Sequence, residues 1–516
     1  DGARINANTI NVLANHSINL WAIGGALAVS DETAMGAAVA VNSISTDTRA
    51  FVGNNSLDRI PTAAEDADKD GKADAPAANV AVADGSVAGL NTQNLTVKAR
   101  SEGRVGAVAV AAAATRPGGS AGGGAIGGGK GKTATPPKTG GKTTPQQSNS
   151  SLSAAGSGTL NFSRIHTIAE VHDANFIVNG SLPQVNVSAL THVDQVSGSG
   201  SAAVSIGGGQ SGRSTAIAGA VAYNDIDQET RAGLYNISLS GTRAEIGDVN
   251  VLAASYGDVL SIGIALAAAS GQQSSGAALS GSYGSIDADT TAEIENSDLK
   301  TSENKNISVL GYDHSRVMVG GGALYLGLSG QGSGGVGLAA SIGHIDNDVS
   351  AYVRGSTLLG FNSLDVQALG ASRIVAAAFG GAVNTGAAPS GAGSFYLILQ
   401  ESDISSGITG SYAMVDHDAD PDTPDVPNYN LVLKRSQVDT ATGVNVVAKS
   451  TNGLAALDST ITEGGFDSQV DFDGDAFQSI DSNQAGVDPY ASGLSGEAVL
   501  GFAGSLAVSS GSAAAG

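Results

Sequence analysis

The stretch Val249-Asn250-Val251-Leu252-Ala253 returns along the chain as Ile10-Asn11-Val12-Leu13-Ala14, Leu95-Thr96-Val97-Lys98-Ala99, Val185-Asn186-Val187-Ser188-Ala189, Ile307-Ser308-Val309-Leu310-Gly311, Leu364-Asp365-Val366-Gln367-Ala368 and Val444-Asn445-Val446-Val447-Ala448. Its alternation of apolar and other residues is that of a strand with one buried face. The central valines Val251, Val309 and Val366 are 309 − 251 = 58 and 366 − 309 = 57 residues apart. A long, nearly fixed period of this kind means stacked copies of one supersecondary unit.

A second marker drifts with the first. Ala232, Ala292 and Ala351, in the last strand of each unit, differ by 292 − 232 = 60 and 351 − 292 = 59 residues. Between the markers, Val259 to Ala267 alternates large with small residues, Gly271 to Gly276 supplies a turn, and Ala277 to Ile286 and Ile286 to Ile294 resume extended patterns. Small residues at alternate positions let two layers approach closely. The expectation is an all-β, elongated β-solenoid of tandem repeats of about 57–64 residues, four extended segments per repeat, with 1–516 as one array. Asp1 runs straight into an anchor and Gly516 ends a Gly/Ala run, so the chain reads as a segment of a longer polypeptide.

The formal charge of −23, from 48 acidic and 25 basic residues, opposes binding of phosphate backbones and anionic headgroups, so no nucleic-acid partner is expected. No apolar stretch reaches the ~20 residues of a membrane-spanning helix. With Cys 0, disulfides and thiol catalysis are excluded, and aromatic residues at 4% leave backbone ladders and small side chains to build a thin core.

Three intervals exceed the basic period: 97 − 12 = 85, 187 − 97 = 90 and 446 − 366 = 80. The second holds the Gly/Lys-rich tract 116–151, too poor in apolar residues to fold and expected to be flexible. Its Gly-Lys pair Gly129-Lys130 is followed by Gly131 rather than Ser or Thr, which excludes a phosphate loop. The insertions 61–80 and 416–430 are acidic. In the first, Asp66, Asp68, Asp70, Lys72 through its carbonyl and Asp74 have the alternate spacing, with Gly71 sixth, that wraps calcium in oxygen ligands. The stretch resembles the calcium loops of dockerins and thrombospondin type 3 repeats, and departs from the EF-hand in having Ala77 at position twelve; the other reading is a solvated acidic loop. Asp416, Asp418, Asp420 and Asp422 repeat the spacing with Pro421 in place of the glycine, and Asp467, Asp471, Asp473 and Asp475 form a looser cluster.

Acidic residues also recur after the last-strand isoleucine, as Asp227 and Glu229, Asp287 and Asp289, and Asp346 and Asp348. Stacked in register about 4.8 Å apart, they require cations between rungs or side chains splayed into solvent. No HExxH motif and no Gly-x-Ser-x-Gly elbow is present, and His166, Glu170 and His172 would share one strand face. Catalysis needs one unique constellation, whereas this chain offers many near-copies, so it is not expected to be an enzyme.

The order of anchor strand, Gly/Ala-rich segments and a closing strand such as Asp47-Thr48-Arg49-Ala50-Phe51-Val52-Gly53 resembles the repeats of filamentous-haemagglutinin-like and leukotoxin-type giant bacterial surface adhesins. That resemblance implies a secreted or surface-anchored, right-handed solenoid stalk acting in attachment or biofilm cohesion. The expected function is therefore an extracellular adhesin stalk or matrix fibre on the bacterial cell surface, calcium-stabilised, pairing into homo-oligomers or filaments and meeting glycans or proteins of host or neighbouring cells. The alternative is a solenoid carbohydrate-active enzyme or phage-type fibre acting on glycans.

Overall fold

The structure, a computed structural model, describes residues 4–53, 88–116, 150–207, 212–328, 332, 334–385, 389–416, 429–451, 490–501 and 505–509. Among them there is no helix. Each repeat is one coil built from two long strands in two facing sheets. The first-sheet strands of coils one to six are Thr9–Ser30, Asn94–Thr115, Gln184–Ile206, Val249–Ser270, Asn306–Leu328 and Thr357–Asn384. Those of the second sheet are Thr33–Gly53, Ser150–His172, Arg213–Tyr235, Gln273–Glu295, Gly334–Arg354 and Ser390–Thr409. In both sheets neighbouring coils pair in parallel and without slippage, so Val187, Val251, Val309 and Val366 are direct partners, as are Ala232, Ala292 and Ala351. A seventh first-sheet strand, Gln437–Thr451, continues the stack through a bulge near Phe361, and Tyr490–Gly501 closes the second sheet antiparallel.

The four extended segments read from the sequence fuse into two. Gly257 and Asp258 look like a turn, yet the strand runs through them, because Gly257 lies inside, where a Cβ would sit 3.1 Å from Ile286 Cδ1, and Asp258 points out to Arg316. A short third strand was not foreseen. Arg4–Asn6, Ala88–Asn91, Ala174–Ile177 and Ser238–Ser240 form a narrow parallel sheet, and Asp298–Lys300 continues the series within the polar connection between coils.

These elements give the coil a wedge-shaped cross-section. At the anchor end three sheets enclose a core of Val, Leu and Ile, with Leu90, Phe176 and Leu299 contributed by the third sheet. At the other end only two layers remain, and their interior is mostly alanine, glycine and serine, with the buried Tyr325 ring of coil five fitted over Gly276 and Gly335. Elsewhere the facing backbones leave little room. A Cβ on Gly263 would stand 2.5 Å from the carbonyl oxygen of Gly281 in the facing sheet, and one on Gly24 would stand 2.8 Å from that of Val39.

Between the two cores the interior is polar and cross-braced. Asn42 donates to Asn161 Oδ1 (2.9 Å), and Asn161 donates to Asn224 Oδ1 (2.7 Å). Each also donates across the wedge to a first-sheet carbonyl, that of Gly106, Val196 or Leu260. The ladder thus ties coil to coil and sheet to sheet with buried amides whose partners are supplied from both directions. Deeper toward the anchor end, buried Asp313 accepts from Ser315 (3.0 Å) and from Asn347, and Asn347 also donates to Ser372 (3.0 Å).

Candidate interaction surface

The thin end of the wedge turns the usual pattern inside out. Strict alternation places small residues inward, so the large ones on the same strands point outward. In coil four Ser261, Ala265 and Ala267 are buried, whereas Ile264 is 56% exposed; in coil one Ile23 is 80% exposed and Leu27 76%.

Register extends this across the whole first sheet. Five successive outward columns, which begin at Trp21, Ile23, Gly25, Leu27 and Val29 and run by direct pairing to coil six, hold only apolar residues and glycine at all 5 × 6 = 30 positions. On the second sheet the four columns beginning at Met35, Ala37, Val39 and Val41 hold only apolar residues, glycine and the stacked pair Tyr223 and Tyr283. The first-sheet patch covers roughly 850 Å² at about 3.3 Å per residue and about 4.8 Å per strand. An exposed apolar patch on a monomer rarely exceeds a few hundred Å² unless it meets something.

The first-sheet patch has relief. Ile262 and Ile264 form a ridge on coil four, flanked by Gly198 and Gly200 of coil three and Gly320 and Gly322 of coil five. Nothing lies within 4 Å of a Cβ built on Gly198, and the nearest atoms to those on Gly200, Gly320 and Gly322 are side-chain carbons at 3.9–4.0 Å. Phe379 stands in the Gly200 column on coil six. A charged column borders the patch, in which Arg104 pairs with Asp194 (3.1 Å) and Arg316 with Asp258 (2.6 Å), with Arg373 next in register.

Comparison with family models, with curated proteins and with solved structures finds no match. The surface itself therefore carries the functional reading.

Beside the apolar columns of the second sheet runs the acidic ladder foreseen from the sequence. Asp227, Asp287, Asp346 and Glu401 are neighbours in register, and so are Glu229, Asp289, Asp348 and Asp403. Burial and the neighbouring carboxylates hold Asp287 and Asp348 above the usual carboxylate range. Arg164 closes one column by donating to Asp227 (2.8 Å), and Arg231 pairs with Glu229 (2.9 Å). Among the described residues no group of three or more histidines, aspartates and glutamates is arranged to hold a metal.

Glu170 and His172 do share a face, and they meet at 2.8 Å. His172 stacks on the Tyr235 ring (4.3 Å between centroids), and the Tyr235 hydroxyl donates to Glu293 (2.7 Å). Burial, Glu293 and Glu170 push the Tyr235 phenol well above its ordinary value, so it stays a proton donor that locks three coils together. His166 sits in register with Glu229 on the same face.

Asp66, Asp68, Asp70, Lys72 and Asp74 lie outside the described residues, as do Asp418, Asp420, Asp422 and the cluster at 467–475. Asp416 ends the strand Ser411–Asp416, which pairs antiparallel with Tyr429–Lys434, so the two ends of the insertion 416–430 are held side by side. Of 116–151, Ser150 and Ser151 already belong to the coil-two strand, and 117–149 lies outside the described residues. Among the described residues no helix is long and apolar enough to cross a membrane.

Proposed function

We propose that this chain is part of an extracellular structural repeat protein, a stalk or matrix fibre of the bacterial cell surface that works through extended repeating faces rather than a single pocket. One observation carries the reading: register makes outward columns chemically alike, uncharged along the thin half over six coils and acidic beside it over coils three to six. Such surfaces suit repeated weak contacts with glycans, proteins or further copies, which gain strength by avidity. Incubation with a panel of polysaccharides is expected to release no reducing ends. Release that disappears on replacing one coil's side chains would overturn the structural reading in favour of a glycan-cleaving enzyme.

Calcium binding at Asp66, Asp68, Asp70, Lys72 and Asp74, and at Asp416, Asp418, Asp420 and Asp422, belongs to the same proposal and rests on ligand spacing. A cation held only by the folded chain raises its stability, by about 2.7 kcal/mol at a hundredfold excess over Kd. The melting midpoint is expected to rise with millimolar calcium and to return with chelator, and Asp68→Asn with Asp70→Asn should abolish the first loop's share. A midpoint that calcium does not move contradicts it.

A further inference from the structure

The first-sheet patch is self-complementary, and we infer that it is the interface of a face-to-face homodimer. The inference rests on the structural reading above and names the partner of that surface. Consider a two-fold axis lying in the interface, parallel to the strands and passing between coils four and five. It exchanges coil four with coil five and coil three with coil six, and it keeps each residue's place along the strand. Pairing in register then decides what meets what.

Ile262 and Ile264 of one copy fall on Gly320 and Gly322 of the other, because each pair shares a column on adjacent coils. Phe379 falls on Gly200 by the same operation. All three glycines have open space above them, as the 3.9–4.0 Å clearance to their nearest neighbours shows. In these two columns large knobs thus meet open holes, as an isologous contact requires, while the columns on either side set Leu260 against Met318 and Leu266 against Leu324. The same axis sets Asp258 opposite Arg316 and Asp194 opposite Arg373 along the border, so the charged rim is complementary as well.

Size agrees with this arrangement. Coils three to six of each copy face one another across this axis, which buries roughly 570 Å² on each copy and about 1,140 Å² in all, above the roughly 1,000 Å² that a specific interface needs. Only a surface with the same strand spacing can keep ridge and groove matched over several coils, and a second copy has that spacing by construction. A bilayer fits less well. Among the described residues both long sheets are open paths rather than a closed barrel, and lipid leaves edge amides without partners.

Sedimentation velocity over a concentration series tests the proposal with three variants of the full chain. Gly322→Leu fills a hole where the nearest atom within the monomer is 3.9 Å from the new Cβ, so the coil keeps its circular dichroism spectrum. It and Ile264→Lys are expected to weaken dimerisation roughly 30-fold or more, the range of a hot-spot loss. Leu279→Lys, on the opposite sheet, is expected to leave it unchanged. A wild-type chain that stays monomeric at high micromolar concentration overturns the interface. So does association that survives both first-sheet variants, or a monomer that floats with phosphatidylcholine vesicles through this face. A chain that dimerises as described and yet cleaves a glycan would sink the structural function while leaving the interface in place.

Discussion

Gly263→Val is expected to destabilise the solenoid by about 3 kcal/mol or more, whereas Ile264→Ser, one residue along and comparable in the volume it changes, is expected to stay within about 0.5 kcal/mol. In an ordinary strand the order would be the reverse. Here Gly263 faces inward, and its new Cβ would meet the Gly281 carbonyl at 2.5 Å and the Gly281 carbonyl carbon at 3.3 Å. Backbone, not a flexible side-chain tip, is the obstacle, so the two sheets must part. Parting them unpacks the flanking Ala265 and Ala267 layers, both buried. Ile264 is more than half exposed, and its truncation leaves no cavity. Chemical denaturation of dilute, monomeric protein measures both, and equal costs would contradict the orientation of this strand.

Stability is expected to rise as the pH falls from about 8 toward 4, with Asp313 the largest single cause. Burial pushes its carboxyl up to about 7, against the hydrogen bonds from Ser315, Ser255 and Asn347 that favour the charged form. The folded value lies above the ordinary 3.8, so the folded chain holds a proton that the unfolded chain releases. The resulting stabilisation is fully present below about pH 3.8 and is lost as the pH rises through about 7, an effect on the order of 4 kcal/mol at 1.36 kcal/mol per unit. Asp225, Asp287, Asp348 and Asp365, also raised by burial, act in the same direction. Asp194, held low by His192 and Arg104 despite its burial, acts oppositely and only at the acid end. Asp313→Asn should flatten most of the slope between pH 4 and 7 and raise the melting midpoint at pH 8 by several degrees. An unchanged slope would show that Asp313 is ionised in the folded chain.

Register was legible in the sequence because a parallel stack pairs like with like. Val251 and Val309, or Ala292 and Ala351, recur at one period for the reason that they are neighbours in space. The acidic ladder followed from the same regularity. The continuity of the long strands was hidden, because Gly257 and Asp258 are turn formers by composition, whereas inside the wedge Gly257 answers to crowding by Ile286 and Gln228. Alternation likewise announces two faces without saying which is inside. The rule that large apolar residues go inward holds at the anchor end, where a third sheet props the layers apart. It fails at the thin end, where the facing backbones are too close for anything beyond alanine, serine or glycine in most coils. The third strand itself, only three or four residues long in each coil, carries almost no periodic signal.

The absence of cysteine allows the central claim to be tested directly. Single cysteines placed at Ser261, Ile262, Ile264, Ala265 and Ala267, reacted with a maleimide on dilute native protein, report which face each residue occupies. A one-residue slip would exchange the two sets completely. The structure predicts rapid labelling at 262 and 264 and protection at 261, 265 and 267 until denaturant is added. Rapid labelling at 261, 265 and 267 with protection at 262 and 264 would mean that the large residues form the core, and the inside-out wedge would be wrong.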